Sequence, residues 1–394
     1  MENLLEEAKK LQSTIVMHRR YLHENAEINV NLPLTTKYVI DRLKEMGYDP
    51  KEICQSEVVA IVGGKKPGKT FMLRADMDAL PIVEETDVSF KSRNNSMHAC
   101  GHDMHTSMLL GAAELLKKHE DEIEGQIKLM FQPGEETLAG AKNMIEAGVL
   151  ENPKVDAAMM IHVITGMPIP SGTVLVLPSG AASAASDRFT VKVHGKGGHG
   201  AMPHTTVDPL NVISHIHLAL QSINSREVAP ADNVALTVCQ IHGGNAANVI
   251  PDTAFLSGTI RTYCKESREF IKNRIHEISM GIASTLRASA AVEHNTGCPS
   301  VINDKSLVEQ FVKYSNSLLA PYRVVNMDEK TSASEDFGFV SELVPSLMVI
   351  LSAGSPQDGY SYPQHHPKAL FDENNIYIGA ALYTNMAMEW LKNN

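Results

Sequence analysis

The chain alternates short apolar runs with amphipathic segments of helical periodicity over most of its length, and this alternation limits the folds it can adopt. Strand-like runs lie at Phe71–Ala75, Gln126–Phe131 and Ala157–Val163, and helix-like segments separate them at Met104–Lys118 and Leu138–Ala147. Strands that alternate with helices favour a sheet flanked by helices. The predicted fold class is therefore α/β.

The pattern changes near a run of small residues at Ser179–Ser186. Beyond this run, strands and helices indicate a small α+β insertion, in which Asp208 is a plausible helix N-cap and Pro209 the first helical residue. The α/β pattern returns after Gly297. We therefore predict a first part of the main domain at 1–184, an inserted domain at 185–297 and a second part of the main domain at 298–394.

Composition excludes several classes of protein. The chain has 394 residues with 35 basic and 46 acidic side chains, so its net charge of −11 is opposite in sign to that of a typical nucleic-acid-binding surface. The apolar runs are far shorter than the ~18 residues of a membrane span. The five cysteines are scattered without a C-x-x-C pair, which favours a reducing compartment. We predict a cytoplasmic protein with neither a nucleic-acid nor a membrane partner.

The densest group of potential ligands lies in the segment from His98 to His105, which also contains Cys100, His102 and Asp103. Thiolate and imidazole groups bind transition metals, and Asp103 could orient a ligand. The alternative is a helix start capped by an aspartate, with incidental histidines. The spacing alone does not decide between these interpretations.

Two adjacent carboxylates, Glu135 and Glu136, follow an apolar strand and are expected to open a helix. One could ligate a metal while the other faces bound water, an arrangement suited to metal-assisted hydrolysis. Alternatively, both could simply complement the helix dipole, worth ~0.3–1 kcal/mol. His162 and His365 also follow strand-like runs, so one edge of a sheet could gather five ligands together with Cys100, His102 and Glu136, enough for two metals that share a bridge.

One glycine-rich motif has the spacing of a dinucleotide-binding fingerprint. Gly195–Gly200 is a literal G-x-G-x-x-G, but Pro203 interrupts the helix that should follow and no acidic strand end comes ~20 residues later. We therefore reject a dinucleotide site. The glycines instead indicate a tight turn that exposes His199.

Several motifs together resemble a known family. They occur in the order Arg19–Glu27, Leu73–Pro81, Met97–Asp103, Gln132–Glu136, Gly195–His204, Asn248–Asp252 and Ser334–Phe337. This set resembles the metal-dependent amidohydrolases that include aminoacylases, hippurate hydrolases and auxin-conjugate hydrolases, relatives of the dinuclear zinc carboxypeptidases. The resemblance covers nearly the whole chain.

The resemblance implies a zinc-exopeptidase-like catalytic domain with a mixed sheet, interrupted by a four-strand, two-helix lid domain that pairs in a homodimer, with a homotetramer as an alternative. It also implies two divalent cations per subunit, Zn²⁺ or Mn²⁺, with Co²⁺ or Ni²⁺ as alternatives. The implied ligands are Cys100 as the bridge, His102, Glu136, His162 and His365. The adjacent His366 leaves the last ligand ambiguous, and the distance to Pro367 favours His365.

The remaining roles also come from the resemblance. Glu135 falls on the general base and His199 on a lid histidine that stabilises the oxyanion, while Asn248 and Arg261 fall on residues that hold the substrate carboxylate. Asp76 and Asp78 stand where related enzymes place a metal histidine and its orienting aspartate. The expected reaction is hydrolysis of small N-acyl amino acids, and the alternative is a dipeptidase or carboxypeptidase that uses the same site. Ala26 departs from the family pattern, which usually has proline there.

Overall fold

The computed structural model describes residues 4–320 and 323–394, which form two compact units. The first unit runs up to Ala182, from Val301 to Lys330 and from Phe339 onward. The second comprises Ser183–Ser300 and Thr331–Gly338. The predicted insertion at 185–297 lies inside the second unit. The segment 331–338, which the sequence assigns to the main domain, packs with the second unit instead.

Helices and strands occur along the whole described part of the chain, and they include several short strands that the sequence pattern does not indicate. The helices are α1 (Leu4–Lys10), α2 (Gln12–Glu24), α3 (Pro33–Glu45), α4 (His102–Lys118), α5 (Gly140–Glu146), α6 (Pro209–Ser222), α7 (Lys265–Thr285), α8 (Lys305–Leu318), α9 (Gly338–Ser341) and α10 (Ile376–Asn393). The strands are β1 (Lys51–Cys54), β2 (Glu57–Gly63), β3 (Thr70–Asp76), β4 (Gln126–Gln132), β5 (Ala157–Ile164), β6 (Val174–Val176), β7 (Gly180–Ala181), β8 (Ala185–His194), β9 (Gly198–His199), β10 (Ala235–Gly243), β11 (Val249–Ile250), β12 (Thr253–Thr262), β13 (Ser289–Cys298), β14 (Ile302–Asn303), β15 (Val324–Asn326) and β16 (Ser346–Ser352).

The first unit is built on a mixed sheet whose strands run in the order β1-β2-β4-β3-β5-β16-β14-β7, with β6 and β15 attached beside β16. The central strands β4, β3, β5 and β16 are parallel. Every residue of β3 and β16 is buried, which explains why these strands read as continuous apolar runs rather than as alternating ones. The predicted α/β class with a mixed sheet is confirmed.

Strands β3 and β5 separate from each other before they end. Their pairing runs from Phe71 opposite Ala157 to Arg74 opposite Met160. Beyond that point, the Tyr383 hydroxyl of α10 donates to the Arg74 carbonyl and accepts from the amide of Ile161, both at 2.8 Å. A helix side chain therefore replaces strand-to-strand hydrogen bonds where β3 and β5 separate at this edge of the sheet.

The carboxyl ends of the parallel strands meet at this edge, which is where sites collect in open α/β sheets. The turn after β4 departs from the prediction, because α5 begins at Gly140 rather than at Leu138. Leu138 has a φ of 57°, a left-handed conformation that no right-handed helix accommodates. Glu135 and Glu136 therefore lie in a turn, and the interpretation that they complement a helix dipole was wrong.

The second unit contains an antiparallel sheet in the order β10-β12-β8-β13. One face of this sheet packs on α6 and α7 around a core that includes Phe189, Val191 and Ile271. The Asp208 side chain accepts a hydrogen bond from the Leu210 amide at 2.8 Å and caps α6, as predicted. None of the helices within residues 4–320 and 323–394 combines the length and apolar character needed to cross a membrane.

Candidate metal and active site

The structure brings the five candidate ligands of the first unit to one edge of its sheet. His102 is the first residue of α4, and Cys100 precedes it by two positions. Glu136 lies in the turn after β4, and His162 lies near the end of β5. His365 comes from the loop that follows β16. The convergence follows from topology, since parallel neighbours end at the same edge.

The ligand atoms form overlapping groups, and within each group they all lie within 4.8 Å of one another. One group contains Cys100, His102 and His162, and a second contains Cys100, Glu136 and His365. The Cys100 Sγ lies 3.6 Å from His162 Nε2, and His365 Nε2 lies 3.6 Å from Glu136 Oε1. Cys100 is therefore the residue that these two groups share.

Two buried atoms of this cluster are suited to hold a cation. His102 Nδ1 lies 2.8 Å from the Asp78 carbonyl oxygen, which can only accept, so Nδ1 carries a proton and Nε2 offers its lone pair in the neutral ring. His102 Nε2 and Glu136 Oε1 are both buried without a hydrogen-bond partner. Because buried polar atoms are nearly always satisfied, these residues fit a divalent metal ion.

Asp78 organises both carboxylates of the turn. Its Oδ1 accepts from the Glu135 amide and its Oδ2 accepts from the Glu136 amide, each at 3.0 Å. Its carbonyl oxygen accepts from His102. One buried aspartate thus fixes two neighbouring backbone amides and one imidazole. This placement agrees with the orienting role that the resemblance gives to Asp78.

Asp76 contacts His105, a residue of the sequence cluster whose role the sequence does not predict. His105 Nδ1 donates to Asp76 Oδ1, and the amide of Val163 donates to His105 Nε2 at 2.8 Å. The Arg74 guanidinium donates to Asp76 Oδ2 at 2.7 Å. Asp76 Oδ2 also lies 3.7 Å from His102 Nε2. The sequence contains a signal for the role of Arg74. A charged residue inside an apolar strand requires a buried partner of opposite charge or a hydrogen-bond acceptor.

The charges of this cluster shift several pKa values. Burial disfavours the imidazolium of His102, but Asp76, Cys100 and Asp78 together outweigh burial and raise the pKa of His102 well above its usual value. Burial raises the pKa of Glu136 to about 7. Burial also raises the pKa of the Cys100 thiol and, together with the neighbouring His105, lowers the pKa of His162. Without a cation, protons must therefore balance the excess of acidic groups.

Asp103 lies in a different environment from the one that the sequence suggests. Its Oδ2 accepts from Arg19 Nε at 3.1 Å and from His23 Nδ1 at 2.9 Å, and both of these residues belong to α2. Asp103 does not cap α4, because Gly101 occupies the N-cap position. His23 also contacts Glu84. Asp103 therefore anchors the start of α4 to α2.

Gly101 is required by the turn that aims Cys100 and His102. Its φ is 93°, and a Cβ at this position would lie 2.4 Å from Val163 Cγ2. The left-handed conformation costs a non-glycine residue ~1–2 kcal/mol, and the contact with Val163 adds a steric cost. Only a residue without a side chain fits between the two candidate ligands.

We expect Gly101→Ala to destabilise the protein by roughly 2–5 kcal/mol, the sum of left-handed strain and overpacking. The matched control is Gly148→Ala, because Gly148 has a similar φ of 89° but nothing within 4 Å of a built Cβ. Thermal unfolding of both variants should show the larger loss for Gly101→Ala. Equal losses would show that the contact with Val163 has no effect.

His365, rather than His366, faces the ligand cluster. His365 Nε2 approaches Glu136, whereas the ring of His366 stacks on Tyr362 with 4.4 Å between centroids. His365 is half-exposed and has a φ of 64°. Its amide donates to the Ala99 carbonyl at 2.9 Å, which ties its loop to the Cys100 turn.

The second unit contains the other three candidates. His199 on β9 pairs with Val249 on β11, and Asn248 accepts from the Gly200 amide at 2.9 Å, so His199 and Asn248 lie together. Arg261 lies near the far end of β12, opposite Ser186. The eight residue-to-residue steps from Thr253 to Arg261 span about 26 Å at 3.3 Å per step. Arg261 is therefore separated from the other two within its own unit.

Residues 72–389 match the model of peptidase family M20/M25/M40. The chain belongs to this family. Thermostable carboxypeptidase 2 of Saccharolobus solfataricus is 36% identical over 396 residues, which cover 99% of this chain and 98% of the relative. N-acetyl-L-cysteine deacetylase of Bacillus subtilis is 36% identical over 386 residues, which cover 98% of this chain and 90% of the relative.

A solved structure gives the same assignment. The dinuclear metal binding peptidase of the M20 family from Bacillus subtilis aligns with a TM-score of 0.82 and 30% identity, covering 98% of this chain and 100% of that chain. The predicted resemblance is confirmed, and this M20 chain is a hydrolase. The candidate ligand groups agree with a metal-binding member of the family.

Proposed function

We propose that this M20 protein hydrolyses the amide bond of small N-acyl amino acids, releasing a carboxylic acid and a free amino acid. The observation that carries the proposal is the pair of ligand groups that share Cys100, with Glu135 beside them in a group with His102 and Glu136. A relative named N-acetyl-L-cysteine deacetylase supports this substrate class. A cytoplasmic location remains a prediction from the cysteine pattern.

The proposed cofactors are two divalent cations, Zn²⁺ or Mn²⁺, with Co²⁺ or Ni²⁺ as alternatives. The proposed ligands are Cys100, His102, Glu136, His162 and His365. Mixed sulfur, nitrogen and oxygen donors suit several first-row metals, so the donor set does not select one. When bound, such cations polarise a carbonyl group and make water more acidic.

Glu135 is the proposed general base and acid. Its carboxylate accepts a proton from the attacking water as the water oxygen bonds to the amide carbonyl carbon. Glu135 then delivers that proton to the amide nitrogen while the C–N bond breaks, so the proton count balances. The hydrogen bond from its backbone amide to Asp78 fixes the start of the side chain, which is largely buried.

His199, Asn248 and Arg261 are the proposed substrate-binding residues. His199 would stabilise the oxyanion, a contribution of about 2.7–4 kcal/mol for a single donor elsewhere. Asn248 and Arg261 would hold the substrate carboxylate, but about 26 Å of β12 separates their ends of the second unit. Two residues of one chain at that distance cannot hold the same small carboxylate. A second copy that supplies His199 and Asn248 would remove this conflict, which supports a homodimer.

Mixed dimers test this arrangement. His199→Ala and Glu135→Gln chains are each expected to be inactive alone, whereas a heterodimer should contain one intact site out of two and recover up to roughly half of wild-type activity. Differently tagged chains allow the heterodimer to be isolated. A control pairs His199→Ala with the double variant His199→Ala/Glu135→Gln, which should stay inactive. Inactive heterodimers of verified composition would contradict sharing.

The second candidate function is that of a carboxypeptidase or dipeptidase. The observation in its favour is the carboxypeptidase relative, which is as similar to this chain as the deacetylase. The deciding experiment supplies N-acetyl, N-benzoyl and longer N-acyl amino acids alongside dipeptides and N-blocked peptides, each with Zn²⁺, Mn²⁺, Co²⁺ or Ni²⁺. The proposal expects the highest kcat/KM for acyl amino acids. Higher values for the peptides would favour the second candidate.

A further inference from the structure

Gln364 precedes His365 and directs its side-chain amide toward the Cys100 turn. Its Nε2 donates to the Val163 carbonyl at 2.9 Å and to the Cys100 carbonyl at 3.2 Å, and it lies 3.9 Å from Cys100 Sγ. An amide nitrogen carries two hydrogens. One can serve Val163, and the other is shared between the carbonyl oxygen and the sulfur of Cys100.

Three residues of the site form hydrogen bonds to the Val163 peptide group. Its carbonyl oxygen accepts from Gln364 and also from His162 Nδ1, the latter at 2.6 Å. Its amide donates to His105 Nε2. The bond to Nδ1 fixes the tautomer of His162, so that Nε2 is the atom facing Cys100. The Gln364 amide thus contacts the Val163 peptide group, which orients His162, and it also contacts Cys100.

Gln364 also secures the backbone of the loop that carries His365. The left-handed conformation of His365, with a φ of 64°, is unfavourable for a residue with a Cβ and persists only where the surroundings hold it. Three contacts hold the backbone here. The Gln364 side chain is hydrogen-bonded on one side of the strained residue, and the His365 amide itself donates to Ala99. The Pro367 carbonyl, on the other side, accepts from the Glu85 amide at 2.8 Å.

We propose that Gln364 is a positioning residue of the metal centre, where its amide holds the Cys100 sulfur and the His365 loop in the arrangement that receives the cations. This inference rests on the proposed metal site. A donor directed at the sulfur helps to fix the position of the sulfur, and the tether of the loop reduces the ordering that metal binding requires. Loss of such an outer contact typically weakens metal affinity by about 10–100-fold.

The test uses Co²⁺ titration of metal-free protein, followed through the thiolate-to-cobalt charge-transfer band. Gln364→Met keeps an unbranched side chain but removes the donor, and Gln364→Asn keeps the amide but shortens its reach. The matched control is Gln12→Met, since Gln12 Nε2 also donates to a backbone carbonyl, that of Glu373, away from the ligands. Thermal unfolding of the metal-free variants separates general destabilisation from an effect on the site.

Both Gln364 variants are expected to bind Co²⁺ about 10–100-fold more weakly than wild type. In Gln364→Met the band should also move to longer wavelength, because the sulfur has lost a hydrogen-bond donor. Gln12→Met should match wild type in both respects. Wild-type affinity and an unshifted band in folded Gln364→Met would overturn the inference. Absence of the band in the wild-type protein itself would instead contradict the proposed thiolate ligand.

Discussion

Glu135→Gln is expected to lower kcat by about 10²–10⁴-fold, the range in which positioned proton transfer contributes to catalysis, while the metal content remains that of wild type. Glutamine keeps the shape of the side chain but cannot accept the proton of the attacking water. Because Asp78 binds the backbone amide of residue 135, the substitution leaves that contact in place. Metal analysis and steady-state kinetics on the same preparation check both halves of this prediction.

The neighbouring carboxylate provides the matched control. Glu136→Gln removes a charge from the group formed with Cys100 and His365, so we expect it to lose metal as well as turnover. The two variants differ by one position in a single turn and should separate proton transfer from metal binding. Near-wild-type turnover in Glu135→Gln would refute its role as the base, and loss of metal in that variant would reassign it as a ligand.

Asp103→Ala is expected to destabilise the metal-free protein by about 3–5 kcal/mol, because it removes the buried carboxylate that pairs with two buried basic side chains. Arg19 and His23 both donate to the Asp103 carboxylate, and all three side chains are at most 3% exposed. The contacts with Asp103 and Glu84 overcome burial and raise the pKa of His23 to about 9, so His23 is charged at neutral pH. Each kcal/mol corresponds to a few degrees in Tm for a domain of this size, so the Tm should fall by roughly 6–20 °C.

An exposed aspartate serves as the control for this prediction. Asp41 pairs with Lys37 on the surface of α3, and exposed pairs contribute little to stability. Asp41→Ala should therefore leave the Tm nearly unchanged when it is measured in the same chelating buffer. If Asp103→Ala also unfolds at the wild-type temperature, the contact between α4 and α2 does not stabilise the first unit as argued.

The sequence was sufficient for the class of fold and for the residues that gather at the sheet edge. Continuous apolar runs predicted buried parallel strands, and ligand-type residues at their ends predicted the convergence of Cys100, His162 and Glu136. The predicted start of α5 was wrong because the apolar spacing of the sequence continues through Leu138. The positive φ of Leu138, which excludes it from the helix, is visible only in the structure.

The supporting residues escaped prediction because their partners are distant in sequence. His105 contacts Asp76 across 29 positions and Val163 across 58, and Gln364 contacts Cys100 across 264. Contacts between residues so far apart leave no periodic pattern in the local sequence. The association of residues 331–338 with the second unit was missed for the same reason, since the contacts that define it come from a distant part of the chain.

The gap between β3 and β5 has a consequence for how enzymes of this kind diversify. Its width is set by a tyrosine hydroxyl from α10 and an imidazole from α4, which act as spacers belonging to the rigid scaffold. Connecting segments around the rim are therefore free to change length and composition without altering the spacing of the strand ends. New substrate preferences can arise by remodelling that rim, while the chemistry beneath it is inherited intact.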